Sequence, residues 1–188
     1  MDRIRKSLEA IPRAKFMPPA LRSAAGLDMA FPIGHGQTIS QPLTVRMMLE
    51  WLDPQTGERV LDVGSGSGWT SALLSYLVGP KGEVHAVERI AELVSFGRAN
   101  CQKLKIKNVF FHNSLNDTYG WPDGAPYDRI LVSASAGEPP QELIKQLRPG
   151  GKLVIPIKQN IEEITKTASE EVERTVHPGF IFVPLIKN

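Results

Sequence analysis

An α/β domain built on a doubly wound, mostly parallel sheet is what this sequence predicts, and three observations carry that expectation. Short apolar runs alternate with helix-length stretches from about residue 58 to residue 157, the pattern of βαβ units with right-handed crossovers. The first run, Val60 to Val63, passes straight into a loop with glycine at 64, 66 and 68 and then into a helical stretch. Strand, glycine loop and helix in that order open a nucleotide-type site in such a sheet. Beyond residue 157 the helices stop. Ile161 to Ala168 and Val172 to Val176 alternate apolar with polar, and Phe180 to Ile186 is nearly all apolar, which predicts an antiparallel end to the sheet.

The elements follow in order. Asp2 to Ala10 reads as a short amphipathic helix with Ile4, Leu8 and Ile11 to one side, ended by Pro12. Prolines punctuate Arg13 to Pro19, and Ala20 to Ala25 adds one helical turn. Phe31 to Pro42, FPIGHGQTISQP, is rich in Gly, Thr, Ser, Gln and Pro and predicts an ordered loop. Pro42 suits a first helical position, with Ser40 or Gln41 near the cap, and the helix runs to Leu52 on Val45, Met48, Leu49 and Leu52. On periodicity alone Ser40 is an N-cap hydroxyl. Helix Trp69 to Val78 stops at Gly79-Pro80. Strand Glu83 to Glu88, helix Ile90 to Leu104 and strand Asn108 to His112 come next. A loop from Asn113 to Pro126 precedes strand Asp128 to Ser133, helix Glu138 to Leu147, the Pro149-Gly150-Gly151 turn and strand Lys152 to Ile157.

Composition narrows the function. The chain has 188 residues, enough for one domain and short for two. A net charge of +2 gives no reason to expect a nucleic-acid partner. The single cysteine, Cys101, cannot form an internal disulfide, and no Cys/His cluster predicts a metal. No segment has the length and apolarity of a signal or a membrane span, so a cytoplasmic protein without membrane attachment is expected. Nothing marks an oligomer interface, and a monomer is expected on that ground.

The glycine loop is not of the dinucleotide type, because Trp69 stands where close helix–strand packing needs a small residue. Its spacing is DxGxGxG with Asp62 ending the strand. S-adenosylmethionine fits this better: it lacks phosphate and carries an amino-acid end, a sulfonium and an adenosine. Asp62 suits the methionyl ammonium, directly or through water, and the backbone of Gly64, Ser65, Gly66 and Gly68 suits the carboxylate. A second acid for the ribose hydroxyls is expected at the end of the next strand, where Glu88 stands beside Arg89.

Taken together, these stretches resemble the protein-L-isoaspartate (D-aspartate) O-methyltransferase family. PIGHGQTISQP is similar to its signature ahead of the first strand, and VLDVGSGSGW to its methyltransferase motif. Ala125 to Ala136, Pro140 to Ile157 and GFIFVPL (Gly179 to Leu185) resemble its fourth strand, fifth strand and closing strand. The resemblance covers Ile4 to Ile186 and implies a class I S-adenosylmethionine-dependent methyltransferase: a Rossmann-like, seven-stranded, mostly parallel sheet with antiparallel C-terminal strands. It implies methyl transfer to the α-carboxylate of isoaspartyl residues in damaged proteins, the ester then closing to a succinimide. Residues 1–52 would form a helical and substrate-loop region, and 58–188 the cofactor-binding core of one domain. Carried over by motif, Ser40 is the active-site serine. Gln37, Thr38, Ile39 and Ser40 lie against the cofactor, and His35, Thr38, Ser40 and Val183 face the substrate. The family's adenine-contacting Gly-Asp-Gly is here replaced within His112 to Asp117. That leaves Ser114 with Asn116, Asp117 or a backbone carbonyl for the contact, or adenine more loosely held. Two other readings remain: a methyltransferase of the same scaffold with a different acceptor, and a non-catalytic module that binds the cofactor.

Overall fold

A computed structural model describes residues 3–114 and 117–187. Helix α1 (Arg3–Ala10) turns Ile4 and Ser7 inward, with Ile11 buried just beyond it. Asp2, expected to begin this helix, lies outside the described residues. Two 3₁₀ turns follow, Arg13–Phe16 and Pro19–Ala24.

The stretch expected as a loop is more regular than its composition suggests. Strands β1 (Phe31–Gly34) and β2 (Gln37–Ile39) pair antiparallel as a hairpin. The chain reverses through His35 and Gly36 at φ 53° and 70°. Positive φ at both turn positions matches the twist of a tight hairpin, so the glycines that read as loop signals are what close it. Helix α2 (Pro42–Leu52) then buries Val45, Met48, Leu49 and Leu52, as its spacing predicts.

Seven strands form one sheet, β3 (Arg59–Val63), β4 (Glu83–Glu88), β5 (Val109–Asn113), β6 (Tyr127–Val132), β7 (Leu147–Ile157), β8 (Asn160–Lys166) and β9 (Val172–Pro178), in the order β5-β4-β3-β6-β7-β8-β9. The first five are parallel, and β7-β8 and β8-β9 are antiparallel. Helices α3 (Trp69–Val78), α4 (Ala91–Lys103) and α5 (Gln141–Gln146) cross between strands. Period-two alternation splits the core. Val60, Val84, Ala86, Leu131 and Val154 pack with α1 to α4 on one face. Leu61, Val63, Val87, Ile130, Val132, Leu153 and Ile155 pack with α5 on the other. The order reverses at β3 and β6, and a crevice opens beyond their C-terminal ends, where doubly wound sheets bind ligands.

Three expectations need correction. Helix α5 starts only at Gln141, because Pro140 at φ −66° and ψ 119° is extended backbone outside the helix. The Pro149-Gly150-Gly151 turn is absorbed into β7 as an irregularity: Tyr127 pairs Leu147 and Arg129 pairs Lys152, with Gly150 at φ 79°. Phe180 to Ile186 is not a ladder strand. Among the described residues it makes one isolated parallel bridge, Pro184 to Ser135, and the residues around it line the crevice.

Candidate active site

The crevice at the switch point is a cleft of about 440 Å³. Its floor is the glycine loop, and its far wall is the end of β4. Gly64 and Ser65 both donate backbone N–H to Val87 O, at 2.9 and 3.1 Å, so the loop folds back over the neighbouring strand. Glu88, 6% exposed, joins the two. Its Oε2 accepts Gly66 N–H at 3.0 Å and its Oε1 accepts Ile90 N–H at 3.1 Å. A carboxylate fixed by backbone donors keeps further lone pairs for ligand hydroxyls. Arg89 and Ser114 line the same wall, and Ser114 N–H is bound to Glu88 O at 3.0 Å.

Asp62 and Gly68 serve the loop from beneath and do not line the cleft. Asp62 is fully buried, and its Oδ2 accepts Thr70 Oγ1 at 2.8 Å and Ser71 Oγ at 2.5 Å, which ties β3 to the first turn of α3. Burial pushes its pKa up to about 6. The two hydroxyls oppose that shift and the Glu88 charge adds to it. Gly68 precedes α3 at φ 83°, and a Cβ there would stand 3.1 Å from Gly97 Cα and O. The third glycine therefore serves a close approach of α4 to the loop.

The residues present fit S-adenosylmethionine. Two buried oxygens, Ser65 Oγ in the cleft lining and Asp62 Oδ1 beneath it, have no partner among the described residues, and buried polar groups normally find one. Gly66 sits at φ 49°, and a Cβ there would come within 3.1 Å of Ile33, so this glycine serves a close approach of the hairpin to the loop. Among the described residues no group of three or more His, Cys, Asp or Glu could hold a metal.

The opposite wall comes from Gln37, Thr38, Ile39 and Ser40 of the hairpin with Thr44 and Val45 of α2. Ser40 is not the helix cap. Gln41 occupies that position without a side-chain capping bond, and Leu43 N–H is taken by Asp28 Oδ1 at 2.8 Å. Ser40 lines the cleft. His35 stands exposed at the hairpin turn, away from the cleft. The segment 179–186 closes the mouth with Phe180, Ile181, Phe182 and Val183. It is held by Val183 O accepting Ser135 N–H and by Leu185 N–H donating to Ser135 O, both 2.8 Å.

At the end of the cleft expected to hold adenosine, Asn116 lies outside the described residues. Asp117 does not line the cleft: it is exposed and faces Lys187 Nζ at 3.7 Å. Thr118, Tyr119 and Gly120 line it instead. Their backbone is fixed by α5. Glu142 Oε2 accepts Tyr119 N–H at 2.9 Å, Gln146 Oε1 accepts Trp121 N–H at 2.9 Å, and Gln146 Nε2 donates to Tyr119 O at 2.8 Å. Sequence reasoning missed this contribution, since neither Glu142 nor Gln146 sits in a motif. It also missed Trp69, which lines the cleft while its Nε1–H donates to Ile11 O at 3.1 Å.

A profile of the protein-L-isoaspartate(D-aspartate) O-methyltransferase family matches residues 1–188. Proteins named protein-L-isoaspartate O-methyltransferase from Methanopyrus kandleri and Aeropyrum pernix are 44% and 47% identical over 98% of this chain, which spans 84% and 72% of their own lengths. A crystal structure of a putative protein-L-isoaspartate O-methyltransferase from Plasmodium falciparum, in complex with S-adenosyl-L-homocysteine, matches with a TM-score of 0.87 at 29% identity, covering 100% of this chain and 92% of that one.

Proposed function

Because the chain belongs to the protein-L-isoaspartate(D-aspartate) O-methyltransferase family, we propose a division of labour within its cleft. The protein is an S-adenosylmethionine-dependent methyltransferase that acts on isoaspartyl residues of proteins. When bound, S-adenosylmethionine supplies an electrophilic methyl group. The glycine loop holds its amino-acid end, with Asp62 acting from beneath. Glu88 would take the ribose hydroxyls, and the backbone of Thr118 to Gly120, braced by α5, would hold the adenine. Ser40 donates to the acceptor carboxylate and orients one oxygen towards the methyl carbon.

That carboxylate is ionised at neutral pH, so no general base is required. Catalysis then rests on alignment and on keeping water from the reacting pair. Phe180 to Val183 and the hairpin supply the apolar cover. The observation that supports this reading is that Ser40, freed from capping because Asp28 serves the α2 N-terminus, lines the same cleft as the glycine loop and Glu88. The two peptides that test it are identical except for one isoaspartyl or normal aspartyl linkage, each incubated with methyl-labelled S-adenosylmethionine. Base-labile label on the isoaspartyl peptide alone is expected. Equal label on both, or on neither, would overturn the acceptor assignment.

We further infer that the chain works as a single-domain cytoplasmic monomer without nucleic-acid or membrane partners. A net charge of +2 supports the lack of a nucleic-acid partner, and no helix among the described residues is long and apolar enough to cross a membrane. Light scattering at micromolar concentration tests the monomer.

A further inference from the structure

Arg13 is 5% exposed, an unusual burial for a guanidinium. Among the described residues it has no ion-pair partner within bonding distance. Its Nη1 donates to Ala25 O at 3.3 Å and Leu27 O at 3.2 Å, and its Nη2 to Met29 O at 2.6 Å and Ile39 O at 3.2 Å. All four Nη hydrogens are thereby committed to backbone carbonyls, and only Nε finds no acceptor. The guanidinium also lies 5.4 Å from the Phe31 ring centre and 5.6 Å from that of Trp69, within reach of cation–π attraction. Burial lowers its pKa and the charge of Asp28 partly restores it, and a guanidinium stays charged under both influences.

These partners are not scattered. Ala25, Leu27 and Met29 lead into β1, Phe31 opens it, Ile39 closes β2, and Trp69 follows the glycine loop. The Ile39 carbonyl belongs to the peptide bond that enters Ser40. One cation therefore grips both ends of the hairpin at its base and sets it against the first residue of α3. The tip at His35 and Gly36 lies outside its grip. A point charge such as an ammonium could not replace it, since four carbonyls on separate segments need the spread of a planar fork.

We propose that Arg13 is the positioning residue for methyl transfer: it fixes the Ile39–Ser40 peptide so that the Ser40 hydroxyl and the glycine loop stay in register across the cleft. Arg13 touches neither substrate nor cofactor. This rests on the role of Ser40 proposed above. Its signature is a separation of effects, with acceptor alignment lost and cofactor binding kept.

The test compares wild type, Arg13→Lys and Arg13→Met at a temperature where each is fully folded by circular dichroism. Should Arg13→Met not fold, Arg13→Lys carries the test. In Arg13→Lys, kcat on the isoaspartyl peptide is expected to fall about ten- to a hundredfold, as for a reacting group displaced by an ångström. S-adenosylhomocysteine affinity is expected to stay within about threefold of wild type, since uniform binding is untouched. Amide hydrogen exchange should quicken in residues 31–40 and stay unchanged in β3 and β4. An unchanged kcat would overturn the proposal. So would a parallel fall of cofactor affinity and of β3 and β4 protection, which would make Arg13 merely structural. The exchange measurement needs no acceptor, so if wild type fails to methylate the isoaspartyl peptide, the assignment of the acceptor fails while the clamp is still judged by exchange.

Discussion

The two walls of the cleft are built in opposite ways. On the proposed cofactor side, the contacts of the glycine-loop floor are local to one βαβ unit or to two adjacent strands: Gly64 and Ser65 on Val87, Glu88 on Gly66 and Ile90, Asp62 on Thr70 and Ser71; only the stretch at Thr118 to Gly120 is braced from farther off, by Glu142 and Gln146 of α5. On the proposed acceptor side, the pieces come from distant parts of the chain and are held by isolated contacts: the Arg13 side chain at the hairpin base, the Asp28 side chain on the α2 N-terminus, and the Ser135 backbone on the closing segment. The glycine-loop floor is dictated by backbone geometry that few residue types permit, whereas the proposed acceptor wall is assembled from tertiary contacts. Substitutions on the first wall should therefore cost cofactor binding, and those on the second should cost turnover.

The largest expected effect is at Gly68. Alanine there meets a φ of 83° and a backbone 3.1 Å away in α4, and neither can yield cheaply. Gly68→Ala should destabilise the protein by about 2–4 kcal/mol and abolish measurable S-adenosylhomocysteine binding in calorimetry. Next is Glu88→Gln. An amide offers one oxygen, so its NH₂ must face either Gly66 N–H or Ile90 N–H. Cofactor affinity should fall about ten- to a hundredfold, with the isoaspartyl-to-aspartyl preference unchanged. A change of preference would erase the division between the walls.

Asp62 gives a pH-dependent effect on the same side. Its folded pKa of about 6 lies above the ordinary 3.8, so between those values the folded state binds more protons than the unfolded one. Stability from this group is fully present below pH 4 and is lost as pH rises to 6, by at most about 3 kcal/mol. Asp62→Asn lacks this loss. In denaturant titrations of the ligand-free protein, the stability of the variant relative to wild type should rise between pH 4 and pH 7 and level off above. A flat difference would show that the carboxylate is already solvated or paired. The smallest effect is at Glu142, which holds Tyr119 N–H from an exposed position. Glu142→Gln should weaken cofactor binding by about two- to fivefold and leave kcat unchanged.

Legibility in the sequence follows the same line. The parallel core was readable because period-two runs and helix-length spacers are local signals, and the glycines of VLDVGSGSGW stand where positive φ and close approach require them. The antiparallel tail was readable from alternation in β8 and β9. The hairpin was not, because strands of four and three residues carry too little pattern, and Gly34 and Gly36 read as loop. Phe180 to Ile186 misled for the opposite reason: an apolar run that covers a cleft looks like one that enters a sheet. Arg13 was invisible, since an arginine between prolines gives no sign that four carbonyls will converge on it.

Turnover and S-adenosylhomocysteine affinity of Ser40→Ala, measured together, test the central claim most directly. The division between the walls predicts that kcat on the isoaspartyl peptide falls about ten- to a hundredfold while the dissociation constant stays within about twofold. Full turnover in the variant, or loss of cofactor binding in step with turnover, would contradict it.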